Sequence, residues 1–225
     1  MNNYIYLKKT VLSKQSILLW ILLIVGILVL FKIKENLGDN NLSIYINSSC
    51  LFSYGIIIIE YLLFISIYMN YFRGNYTIIR YLNISELMKV VIKNIIFLTL
   101  IFVIVFNIIL LTGVKLNYKN ILIFKDLKYI LFTILIQFLS FLILGFIYLV
   151  IFFKTYSVKK SLIPTFIIYM IATMSSTNIC LYFILPIKAN QIEIMNMIRN
   201  MLSIHFIFLL YFINKKSKGI ELYEK

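Results

Sequence analysis

VVIKNIIFLTLIFVIVFNIILLT, residues 90–112, decides the fold of this chain. A helix needs about 20 residues to cross roughly 30 Å of hydrocarbon. A barrel strand instead alternates apolar and polar residues over about 10 positions. Ile101–Phe106 does not alternate, and neither does Ile56–Ile59 further upstream. Uninterrupted apolar runs of this length read as helices, although Ile, Phe and Tyr also favour sheets.

Five further runs flank it. The spans are about Ser16–Phe31, Cys50–Tyr71, Val90–Thr112, Tyr129–Phe153, Pro164–Leu185 and Ile198–Ile213. The first and last are short and borrow flanking residues. Pro164 suits a first helical turn, where its missing N–H costs nothing, and Pro186 stands where a helix should stop. Lys8, Lys9 and Lys14 before the first run give it the look of a signal peptide. Phe31-Lys32-Ile33-Lys34-Glu35 is no small-residue cleavage site, so an uncleaved anchor is expected. The longest stretches between spans, about 18 residues, are too short for an independent core. The expected fold class is an all-α integral membrane protein with six transmembrane helices. It forms a single transmembrane domain over 1–225, with 1–15 as an amphipathic N-terminal segment.

Composition agrees. Of 225 residues 62% are hydrophobic and 13% charged, against about 25% charged in a soluble domain. Mean hydropathy is +0.98. The 30 charges, 22 basic plus 8 acidic, are too few to coat a soluble body of this size. A soluble enzyme and a disordered chain are both excluded. The net charge of +14 would suggest nucleic acid in a soluble protein. Here the basic residues lie between apolar runs, where they set topology and meet anionic headgroups. No nucleic-acid partner is expected; the lipid bilayer is. Abundant Ile, Lys, Asn, Tyr and Phe look like an AT-rich bacterial genome.

Six spans put both ends on one side. With the N-terminus inside, the inner segments carry Lys8, Lys9, Lys14, Arg73, Arg80, Lys89, Lys93, Lys154, Lys159, Lys160, Lys215, Lys216, Lys218 and Lys225. That is 14 of the 22 basic residues, against 8 outside. The excess predicts cytoplasmic termini in a bacterial plasma membrane. The 113–128 loop, with four lysines outside, runs against the trend.

Several chemistries are absent from the sequence. There is no Gly-x4-Gly-Lys-Ser/Thr loop for ATP, no Gly-x-Ser-x-Gly and no His-Glu-x-x-His. Cys50 and Cys180 make neither a disulfide framework nor a metal site. His205 is the single histidine, and its pairing with Cys180 across neighbouring spans is one conceivable thiol–imidazole site. No catalytic residue, bound cofactor or metal ligand is expected.

Three features remain. Glu60 is the one acidic residue inside a span. Such a group costs several kcal/mol unless paired or wetted. It reads either as a proton or substrate contact or as a packing residue bonded through Asn107 or Gln137. Thr173, Ser176, Thr177 and Cys180 follow i, i+3, i+4, i+7 and share one helix face. That face either packs a helix seam or lines a translocation path. The inner loop RGNYTIIRYLNISELMK, residues 73–89, turns at Gly74-Asn75, allows a two-turn amphipathic helix over Asn75–Leu82, and offers Asn83 and Glu86 as a capping box for a helix running straight into the third span. The Asn75–Leu82 helix either meets a partner or is a solvated connector. Tyr4–Ser16 mixes apolar residues with lysines and could lie along the inner leaflet.

In this order the features resemble the permease subunits of type-2 ATP-binding-cassette transporters. Their inner loop has an acidic residue, Gly-Thr, a short helix ending in Leu, then Pro-x-Ser/Thr and a later Lys. Gly74, Thr77, Leu82, Ser85 and Lys93 fall in a similar order. No acidic residue precedes Gly74, Asn75 replaces the Thr, and Asn83 stands in place of Pro. The resemblance implies a coupling helix in which Asn75, Thr77, Ile78, Ile79, Arg80 and Leu82 dock a cytoplasmic P-loop ATPase. It also implies an N-terminal connecting helix and a second permease copy or related subunit. ATP would be bound by the partner, not by this chain. The substrate would be amphipathic or hydrophobic. Small permeases of this composition are similar to those of low-GC Gram-positive bacteria that export, or give immunity to, antimicrobial peptides. A stand-alone immunity or sensor protein and a small secondary transporter remain the alternatives. The latter should show more intramembrane polar groups and internal repeats.

Overall fold

The computed structural model describes residues 10–33, 56–74, 84–117, 124–155, 157–174 and 191–217. The described residues form six α-helices. These are α1 (Lys14–Ile33), α2 (Ile56–Gly74), α3 (Ile84–Asn117), α4 (Phe124–Thr155), α5 (Val158–Met174) and α6 (Gln191–Ser217). Three contain stretches long and apolar enough to cross a membrane: Met88–Lys115, Leu127–Thr155 and Met195–Asn214. Lys14–Val29 and Ile57–Asn70 are shorter apolar helices. This is the architecture of a helical membrane protein.

Side-chain oxygens start two of the helices. The Ser16 N–H donates to Ser13 Oγ at 3.0 Å, and the Ser16 hydroxyl turns back to the Thr10 carbonyl. Ser13 is therefore the N-cap of α1. Ser157 caps α5 in the same way, with Lys160 N–H 3.4 Å from its Oγ. That cap corrects the expectation for Pro164. α5 begins at Val158, not at Pro164, which sits inside the helix. The cap and the buried Val158 side chain make the earlier start favourable. Pro164 then costs one backbone bond, since the Lys160 carbonyl loses its donor. α3 begins at Ile84, where a helix capped by Asn83 would start, and runs unbroken to Asn117.

The order of contacts along each helix gives its direction. Tyr68 meets Asn94 and Tyr61 meets Thr99, so α2 and α3 are antiparallel. Asn107 meets Gln137 while Phe102 meets Phe141, so α3 and α4 are antiparallel too. Ser140 reaches Met201 while Phe146 touches His205, Phe208 and Phe212, so α4 and α6 run parallel. α4 is the most enclosed of the three long spans and α6 the least.

An aromatic cluster joins the first four helices. Trp20 of α1 lies 5.3 Å from Phe64 and 5.5 Å from Phe102. Tyr61 lies 5.2 Å from Phe102 and 4.8 Å from Phe141. Tilted and edge-on rings at these separations add to the gain from packing. The helices are apolar on their outer faces as well. Leu18, Ile21, Leu22 and Val25 of α1 are exposed while Leu23 and Ile27 are buried. On α3, Phe97, Leu100, Ile104 and Ile108 are exposed at helical spacing. A helix hydrophobic all round belongs in lipid or a deep core.

Gly145 permits the close approach of α2, α3 and α4. A Cβ there would stand 2.7 Å from the Tyr61 hydroxyl and 3.0 Å from Ile95 Cγ2. Gly145→Val should destabilise the bundle by about 1–3 kcal/mol through overpacking. The measurement is thermal unfolding in detergent. Gly145→Ala should be milder, and Tyr61→Phe should rescue part of its loss by removing the crowded hydroxyl.

Candidate functional site

Polar side chains in this bundle gather along α3. Asn94, Thr99 and Asn107 are all buried, and each reaches a neighbouring helix. Asn94 Nδ2 donates to the Tyr68 hydroxyl of α2 at 2.8 Å. The Tyr61 hydroxyl of α2 and Thr99 Oγ1 are 2.8 Å apart, and Thr99 Oγ1 also donates to the Ile95 carbonyl at 2.7 Å. Deeper along α3, Asn107 Nδ2 donates to Gln137 Oε1 of α4 and to the Val103 carbonyl, both at 2.8 Å. These three bridges fix the register of α2, α3 and α4. Amide and hydroxyl groups can bond across a helix interface that contains no water.

Glu60 lies beside this ladder on α2. It is 7% exposed, and its Oε2 has no hydrogen-bond partner. One of its expected partners, Gln137, gives its carbonyl oxygen to Asn107. A buried carboxyl oxygen with a free acceptor site can receive a proton or a donor from a passing molecule. It is costly to keep unless it serves something.

α6 carries a second isolated polar group. His205 is buried, with Nδ1 2.7 Å from the Met201 carbonyl and its ring 5.9 Å from Phe146. The Leu139 backbone lies close to the ring, yet Nε2 meets no partner at hydrogen-bonding geometry. Among the described residues no three His, Cys, Asp or Glu side chains converge as a metal site would need.

The remaining expected site residues are placed only in part. The backbone of Thr173 belongs to the last turn of α5, and its side chain lies outside the described residues. Ser176, Thr177 and Cys180 lie outside them too, and with Cys180 its pairing with His205. So do Asn75, Thr77, Ile78, Ile79, Arg80 and Leu82, and residues 1–9 of the N-terminal segment. Reading the sequence missed Tyr61, Tyr68, Asn94 and Thr99. Their signal was present: polar residues at intervals inside apolar runs. Periodicity cannot tell which of them face one another.

Comparison with protein-family models, with curated proteins and with solved structures returned no match.

The Asn107–Gln137 bridge has a measurable signature. Asn107→Leu removes the cross-helix partner of the buried Gln137 amide, which costs about 1–3 kcal/mol, and Gln137→Leu, which leaves Asn107 its bond to the Val103 carbonyl, should cost less. The double leucine variant should lose less than the sum of the two. Unfolding in mixed detergent for all four proteins gives the coupling energy.

Proposed function

We propose that the chain is the permease subunit of an ATP-binding-cassette transporter, a six-span bundle with cytoplasmic ends that offers a path to an amphipathic or hydrophobic substrate. One observation carries this reading. Segment 75–83 connects the end of α2 to the start of α3, and those helices are clamped near that end by the Tyr68–Asn94 bond of 2.8 Å. A partner gripping the segment would therefore push on two helices at once. A rigid-body change of this kind is how a bound ligand can bias two packings of a bundle.

The alternating helix directions support the six-span arrangement. They bring the starts of α3 and α5 and the ends of α2, α4 and α6 toward a common side. Lys89, Lys93, Lys154, Lys159 and Lys160 flank those ends. The positive-inside rule makes that side cytoplasmic. The sequence carries no nucleotide-binding loop, so the motor is a separate cytoplasmic ATPase. Twelve spans, from two copies or two related subunits, complete the path.

Glu60 favours a second reading. A small secondary transporter would need a buried carboxyl of this sort, although it would ordinarily need several.

Coexpression with a candidate cytoplasmic ATPase separates the two. Under the permease reading, Ile79→Asp or Arg80→Glu should reduce copurification by roughly 30-fold in affinity, the loss that accompanies removal of an interface hot spot. Unchanged copurification counts heavily against it. Glu60→Gln should leave ATP-driven transport intact in a permease. In a proton-coupled transporter the same change should abolish accumulation driven by a pH gradient.

A further inference from the structure

An open groove of about 380 Å³ runs between the first turns of α3 and the last turns of α6. Its floor is Met88 and Phe212, both buried. Its walls are Ile92 and Ile96 from α3 and Leu209 and Ile213 from α6. Among the described residues, the charged groups lining it are Lys89 and Lys93. Both are exposed, and they stand four residues apart, one helical turn along α3. Among the described residues no carboxylate lines the groove.

Its position is as informative as its lining. By sequence, the apolar run of α3 opens at Val90, between Lys89 and Lys93, and that of α6 closes at Ile213, before Asn214, Lys215 and Lys216. The groove therefore opens where both spans leave the hydrocarbon. From Met88 to Ile96 the α3 backbone rises about 12 Å, so the apolar part extends well below the headgroup layer. Lys93, one turn deeper than Lys89, can reach up to the headgroups along its aliphatic stem. Lys215 and Lys216 follow in the last turn of α6.

We propose that this groove is a binding site for an anionic phospholipid. One acyl chain lies against Ile92, Ile96 and Leu209, and the headgroup phosphate sits between the Lys89 and Lys93 ammonium groups. Two observations select that occupant over a neutral lipid or a partner helix. The groove pairs an apolar slot with two lysines that complement an anionic headgroup. Its volume of about 380 Å³ also suits an acyl chain better than a partner helix. Basic pockets between spans on the cytoplasmic side are suited to such headgroups. Because the lipid would bridge α3 and α6, it would couple the least enclosed of the three long spans to the rest of the bundle. The proposal rests on the membrane reading of the chain.

The test uses the full chain in vesicles of phosphatidylcholine and phosphatidylglycerol. Trp20→Phe removes the one native tryptophan, and Ile213→Trp places a reporter at the mouth of the groove. Brominated phosphatidylglycerol should quench the reporter about tenfold more effectively than brominated phosphatidylcholine at equal mole fraction, the order of preference set by two lysine–headgroup contacts. Lys89→Gln with Lys93→Gln should remove the preference while quenching by both lipids persists. Equal quenching of the reporter by both lipids overturns the site, as does a preference that survives the double substitution. No quenching by either lipid overturns the membrane reading itself.

Discussion

Hydrocarbon offers a peptide group no hydrogen-bond partner, and this constraint shapes the whole molecule. Every backbone polar group at membrane depth must be satisfied within the protein, which leaves helices as the economical solution for separate spans. The same rule governs the side chains. Thr99, Thr112, Thr133, Thr155, Thr165 and Ser203 all donate to the carbonyl four residues earlier, returning their hydroxyls to their own helix. Polar groups that cannot do this alone are paired between helices, as Asn94 is with Tyr68 and Asn107 with Gln137. Among the described residues, Glu60 Oε2, the Tyr148 hydroxyl and His205 Nε2 escape the rule.

The same solvent removes the usual reason for helices to associate. Lipid tails are as apolar as Leu or Ile, so burial of greasy surface does not by itself choose one face of α1 or α3 over another. Packing and cross-helix bonds decide instead. Trp20, Tyr61, Phe64, Phe102 and Phe141 supply large flat surfaces in tilted contact. Gly145 supplies the opposite, an absent side chain that lets the Tyr61 hydroxyl come close. A ring cluster and a missing Cβ at one level set the distances between α2, α3 and α4.

Function, on the reading proposed here, follows from the difference between rigid and accessible parts. The α2–α3–α4 group is bridged by polar bonds and aromatic rings. α6 is held mainly through Phe146 and its neighbours on α4, and most of its surface is exposed. A membrane bundle with one well-fixed group and one lightly held helix can take up two packings without rebuilding its core. The groove between α3 and α6 lies at that boundary.

Much of the fold was legible in the order of residues. Long apolar runs such as 90–112 specify helices because their length matches a bilayer and no alternation competes. Glu60 was visible as a lone acid in a span, where a charge is costly. Pro164 misled, because a cap at Ser157 outweighed the preference of proline for a first turn. What the chain alone could not state is which polar residues meet. Asn107 with Gln137, Tyr61 with Thr99, and Lys89 and Lys93 with the Leu209–Ile213 face of α6 are pairings between different helices, tens of residues apart or more. Solvent and length act residue by residue and can be read locally. Pairing depends on helix rotation and register, which in lipid are set by packing alone, and only the tertiary structure decides them.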